Sequence, residues 1–129
     1  MIVIVIVGIL SAVALPNFLS QTSKAKATEA KTLAASALKE AQVAWTESGT
    51  TGLTAWKETQ PTGQCPKATT TFTFACSFAD NTTSVDVEVK GTGNAGVGDL
   101  ATKDVVGKAD VMNGGAVTFC GTAPGLTAC

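Results

Sequence analysis

Residues 1–15 read MIVIVIVGILSAVAL and are apolar throughout, apart from Ser11 and the neutral Gly8. After Pro16 the pattern changes to NFLSQTSKAKATEAKTLAASALKEAQVAWTES, with no Gly or Pro before Gly49. Within it Ala30, Leu33, Ala34, Ala37, Leu38, Ala41, Ala44 and Trp45 step by three and four, the spacing of one helix stripe. Lys24, Lys31, Lys39, Glu40 and Glu47 fall mainly on other faces. The apolar run thus passes into an amphipathic helix with only Pro16 as punctuation. Residues 2 to 47 would span about 69 Å as one rod. That exceeds what a domain of 129 residues needs. The first part of the helix must leave the globule.

Farther along, the period changes. Residues 48–64, with two Gly–Thr clusters and Pro61, predict a connecting loop. Ala68–Phe78 alternates Thr and Phe, and Ser84–Lys90 alternates Val85, Val87 and Val89 with Asp86, Glu88 and Lys90. Both predict half-buried strands, joined by a turn at Asp80-Asn81. A third strand is expected at Ala116–Phe119, after the hairpin signal Asn113-Gly114-Gly115. Residues 91–110 hold five Gly and no clear period; a short strand fits only at Val105–Val106.

Three ordinary explanations of residues 1–15 fall short. A secretory signal peptide needs a charged start; Ala12-Val13-Ala14 imitates a cleavage site, but no Lys or Arg precedes the run. A membrane span takes about 20 apolar residues, and 15 cover only about 22 Å. A buried core element would need cover on all sides, which so small a domain lacks.

The segment MIVIVIVGILSAVALPNFLSQTSKAKATEAK resembles the N-terminal segment of type IV pilins, the subunits of bacterial surface filaments. The matching features are the Met-Ile-Val-Ile start, Gly8-Ile9-Leu10, the small residues Ser11, Ala12 and Ala14, Leu15-Pro16, and the Ala/Lys/Glu helix after them. The resemblance covers roughly the first quarter of the chain; the rest matches in layout only. It implies an α+β pilin fold: a long N-terminal helix packed on a small antiparallel sheet. Residues 1–22 would protrude as membrane anchor and filament core. Residues 23–129 would form the globular domain, with helix 23–47, loop 48–64, and sheet plus Cys loop over 65–129. Ile2, Ile4, Ile6, Gly8, Ile9, Leu10, Leu15 and Pro16 would carry assembly. The family's N-methylated first residue and docking Glu have no counterpart among these residues, so neither role is assigned. Pilins of this kind lose helix in the fibre. Gly8 and Pro16 are the weak points that would permit it over part of Ile9–Leu15.

The four Cys, none spaced as C-x-x-C, argue for disulfides formed outside the cytoplasm. Three pairings exist. The compact one joins Cys65 to Cys76 and Cys120 to Cys129, and a Cys-closed C-terminal loop is also what the pilin layout implies. A Cys₄ zinc site lacks knuckle spacing. Lys24, Lys26 and Lys31 follow the apolar run, and by the positive-inside rule would put the domain in the cytoplasm. The disulfides argue the opposite and take precedence.

Charge and composition exclude other functions. Nine Lys, no Arg and ten Asp+Glu give a net charge of −1. Residues 1–60 carry five Lys against four Glu; the remainder carries four Lys against six acids. Neither half holds a phosphate backbone by charge, so no strong nucleic-acid site is expected. The absence of His removes His-based triads and general bases, and no enzyme activity or cofactor is expected. Asp99, Asp104 and Asp110 invite a calcium reading but lack the dense oxygen pattern of a binding loop; solvated loop acids are the simpler account. Asn81-Thr82-Thr83 is a glycosylation sequon, so Asn81 is a candidate site. Trp56 is expected as a loop anchor, or else as an exposed adhesive contact. With five Phe and two Trp, a continuous aromatic path is not expected, and the fibre would insulate.

The expected function is structural. The chain would be a homopolymer subunit of a type IV pilus serving adhesion, twitching motility or DNA uptake. It would be held in the inner membrane before assembly, extended by a separate ATPase machinery, and found in the extracellular pilus. The alternatives are a pseudopilin of a type II secretion system and a secreted disulfide-bonded binding domain with a cleaved signal peptide.

Overall fold

The computed structural model describes the backbone of residues 1–129 and the side chains of residues 1–12 and 22–129. A helix, α1 (Ile2–Trp56), precedes the strands β1 (Phe72–Asp80), β2 (Val85–Gly93), β3 (Asp104–Asp110) and β4 (Thr118–Gly121). A 3-10 turn, Gly98–Leu100, lies between β2 and β3. The strands form one antiparallel sheet in the order β1-β2-β3-β4. The fold is α+β, an N-terminal helix packed on a four-stranded antiparallel sheet.

Alternation decides which face meets the helix. In β2, Val85, Val87 and Val89 are fully buried while Asp86 and Lys90 are exposed. Register aligns Val87 with Phe78 and Ala109, and Val89 with Cys76 and Gly107. Ala27, Ala30, Ala34, Ala37 and Ala41 face this surface, buried, with Leu38 among them. A stripe of small residues lets the helix axis lie close to the strands, mainly against β2 and β3. Trp56, Phe72, Leu53 and Leu100 fill the ends of the core. Each fully buried Leu, Val or Phe contributes about 1.5–3 kcal/mol.

The helix departs from the expected layout at its C-terminal end. Residues 48–64 were expected to be loop, yet α1 continues to Trp56. It is not one straight rod, because Gly49 has φ 59° and ψ −137°. Trp56 donates its indole N–H to the carbonyl of Ala37 over 2.7 Å. In a straight helix nineteen residues are about 28 Å apart, so the chain reverses at Gly49. The last two turns fold back along the helix. A Cβ on Gly52 would sit 2.1 Å from the Ala44 carbonyl oxygen, which shows how closely the two arms approach.

Strand bounds also shift. β1 starts at Phe72 rather than Ala68, because the Thr69 hydroxyl oxygen accepts the N–H groups of Thr71 and Phe72 and holds a turn there. β2 runs on to Gly93 since Thr92 pairs with Asp104. The full strand β3 covers what the sequence suggests only at Val105–Val106. Both valines are buried: Val105 faces the helix side, while Val106 lies opposite Cys120, beside Ala128 and Cys129. β4 begins at Thr118, two residues later than expected.

Candidate functional site

The first ten residues present their side chains to no neighbour. Ile2 is 77% exposed, Ile4 76% and Ile9 61%, with Ile6 and Leu10 similarly open. A Cβ added to Gly8 would meet nothing within 4 Å. The one hydroxyl in the stretch, Ser11 Oγ, donates to the Val7 carbonyl over 2.8 Å, so it makes no outward polar demand. Among the described side chains, the helix first meets the rest of the domain near Thr22, Ser23 and Lys26, which line a cleft with Val97–Leu100. Ile2 lies about 30 Å along the axis from Thr22. A continuous apolar surface of this kind exceeds what monomers ordinarily leave in water, and such patches mark association sites.

The side chains of Leu15 and Pro16, to which assembly roles are assigned by resemblance, lie outside the described ones, as do those at the end of the segment Ile9–Leu15. Among the described residues no helix is long and apolar enough to cross a membrane.

The two disulfides brace the other end. Cys65 pairs with Cys76, with Cα atoms 5.8 Å apart, tying the connection after α1 to β1. Cys120 pairs with Cys129, with Cα atoms 5.0 Å apart, and closes the C-terminal segment on the sheet edge. That segment is otherwise held by Thr122 and Ala123, whose N–H groups both donate to the Asp104 carbonyl over 3.0 Å, and by the Gly121 N–H on the Thr127 carbonyl. Ala123 is buried beneath it.

The three aspartates do not converge. Asp104 and Asp110 sit at opposite ends of β3, about 20 Å apart. Asp104 accepts the Thr92 hydroxyl over 2.9 Å and pairs with Lys90 over 3.2 Å. Asp110 organises the β3–β4 connection. It accepts backbone N–H groups of Val85 (3.2 Å), Met112 (3.1 Å) and Asn113 (3.3 Å), and the Asn113 side-chain amide (2.5 Å). The amide of Asn113 and then these backbone donors hold its carboxyl below the usual Asp range, against the opposing effect of burial. Asp99 is exposed on the 3-10 turn. Among the described residues no three His, Cys, Asp or Glu side chains are grouped to hold a metal.

Asn81 is exposed at the β1–β2 turn, its backbone N–H donating to the Ser84 carbonyl over 2.9 Å. Trp56 is 1% exposed and bonded to Ala37, so it anchors the folded-back arm and is no adhesive contact. The helical pattern sets Glu40 among the solvent-facing charges, but it sits beside Ala41 and three after Ala37, at the border of the buried stripe. No protein-family model, curated protein or solved structure matches the chain.

Proposed function

We propose that this chain is a structural filament subunit of the type IV pilin kind, polymerising through the apolar half of α1. One observation carries the reading. A helix with isoleucines at 50–77% exposure stands clear of a domain whose own large apolar side chains, apart from Val43 and Met112, are covered. Burying those side chains among copies of themselves would recover about 25 cal/mol per Å² of apolar surface. A bundle of such helices also satisfies every backbone group internally, as hydrocarbon lipid demands, so the same segment serves a membrane-held pool and a fibre core. In this reading the disulfide-braced sheet faces outward in the extracellular fibre. The chain catalyses nothing itself, and a separate ATPase drives assembly.

The test is Ile4→Asp or Ile9→Asp in the full chain. A carboxylate in a dry bundle has no partner and costs several kcal/mol. Wild-type chain should form fibres visible by electron microscopy and either variant should form none. Normal fibres from both variants would remove this segment from the assembly role.

A further inference from the structure

Asn113 ties together two turns at one end of the sheet. Its side-chain amide donates to the Thr83 carbonyl, in the β1–β2 connection, over 3.0 Å and to the Asp110 carboxylate at the end of β3. Its backbone N–H meets the same carboxylate over 3.3 Å. Asn113 is nevertheless exposed, and the residue after it is Gly114. The chain has four Asn, and the other three precede Phe18, Thr82 and Ala95.

The backbone nitrogen after an Asn can attack the Asn side-chain carbonyl carbon and close a five-membered ring. Two things ordinarily oppose this: the next side chain shields the nitrogen, and a hydrogen bond engages its N–H. Neither operates at Gly114. It has no side chain and a φ of 63°, and a Cβ built on it would meet no atom within 4 Å. Among the described residues its N–H has no acceptor, whereas the next N–H, of Gly115, donates to the Asp110 carbonyl over 2.8 Å. The two side-chain ties of Asn113 engage Nδ2, the nitrogen that would leave, and neither occupies the attacking group. The other described Asn side chains are less favourably placed. Asn94 is held at both ends of its amide, donating to the Thr69 carbonyl over 2.9 Å and accepting the Thr73 hydroxyl over 2.6 Å. Asn81 precedes the β-branched Thr82, whose side chain crowds the backbone.

We propose that Asn113 is a self-modification site, converted without an enzyme to Asp or isoaspartate by attack of the Gly114 nitrogen. That nitrogen gives its proton to solvent and bonds to Asn113 Cγ. The Cγ–Nδ2 bond breaks, and Nδ2 takes up a proton and leaves as ammonia. Water then opens the cyclic imide at either carbonyl, which yields Asp or an isoaspartate with a backbone one carbon longer. The sum is amide plus water giving carboxylic acid plus ammonia, with no change of oxidation state.

The fold makes this conversion consequential. An amide donating to two acceptors becomes a carboxylate that can only accept. It faces the Thr83 carbonyl and the Asp110 carboxylate with no donor between them, and the two like charges repel. The β3–β4 connection is thereby released from the β1–β2 turn. None of this depends on the filament reading.

The experiment incubates the full chain in detergent at mildly alkaline pH with both disulfides intact. Samples are then reduced, digested after Lys and read by chromatography with mass spectrometry. Cleavage after Lys67, Lys90, Lys103 and Lys108 puts Asn81, Asn94 and Asn113 in separate peptides. The peptide starting at Ala109 is expected to gain one mass unit before the others do. It should also split into Asp and isoaspartate forms, since a cyclic imide yields both. An unchanged mass for this peptide, or the Asp form alone, would overturn the site. Asn113→Asp reproduces one product. Its equilibrium constant for unfolding in urea should rise about tenfold, the loss of one hydrogen bond to a charged group. Wild-type stability in that variant would overturn the release of the two turns.

Discussion

Trp56 and Gly49 act together, though neither resembles a functional residue on its own. The positive φ at Gly49 turns the helix back, and the indole N–H locks the returning arm onto the Ala37 carbonyl. An added Cβ at Gly49 meets no atom within 4 Å, so Gly49→Ala suffers backbone strain alone. We expect it to cost about 1–3 kcal/mol in chemical denaturation; an unchanged midpoint would mean the reversal is not rigid. Asp110 makes a prediction about pH. Its folded pKa is depressed by the Asn113 amide and the backbone donors, so its contribution is present above the unfolded pKa. That contribution is lost as pH falls through the lower, folded value. Melting curves of wild type and Asp110→Ala should therefore converge below the ordinary Asp range and separate above it. Curves that stay apart by the same margin at every pH would contradict this. Residue identity announced some of these roles and hid others. Trp56 was readable as an anchor because a buried indole needs an acceptor. Glu40 was not, because a charged residue at a stripe border looks like any solvated one until the opposing connection is seen to close over it.

Elements were legible in proportion to the strength of their period. The stripe from Ala30 to Trp45 and the valine alternation of β2 were plain, because one face of each meets the same core. β3 was hidden, since Val105 and Val106 are both buried, on opposite faces, and alternation vanishes where the C-terminal segment covers the outer one. The extension of α1 past Gly49 was missed for a related reason: its Thr–Gly composition reads as loop, and only packing against the first arm holds it helical. The two disulfides follow from compact spacing, and the second closes a C-terminal segment lacking a regular hydrophobic pattern. Replacing Cys120 and Cys129 by Ser should destabilise the domain by about 2–4 kcal/mol. Equilibrium unfolding checks this, and an unchanged stability would show that the backbone bonds to Asp104 hold the segment unaided.

At the scale of the whole molecule, the chain divides into a domain that satisfies itself and a helix that does not. Nearly every large apolar side chain beyond residue 26 has found cover, Val43 and Met112 being still open, whereas Ile2 through Leu10 have none. In the proposed filament the domain supplies stability and an outward surface, and the helix supplies the reason to associate. Cross-strand pairs such as Glu88–Lys108, at 3.1 Å, stay on the solvent face and contribute little. The most direct measurement is a cryo-electron microscopy reconstruction of fibres grown from the full chain. The account predicts Ile2–Leu10 at the fibre axis, each helix packed on those of other copies, with the sheet and both disulfides outside. Dispersed single copies, or fibres with this helix on their outer surface, would contradict it.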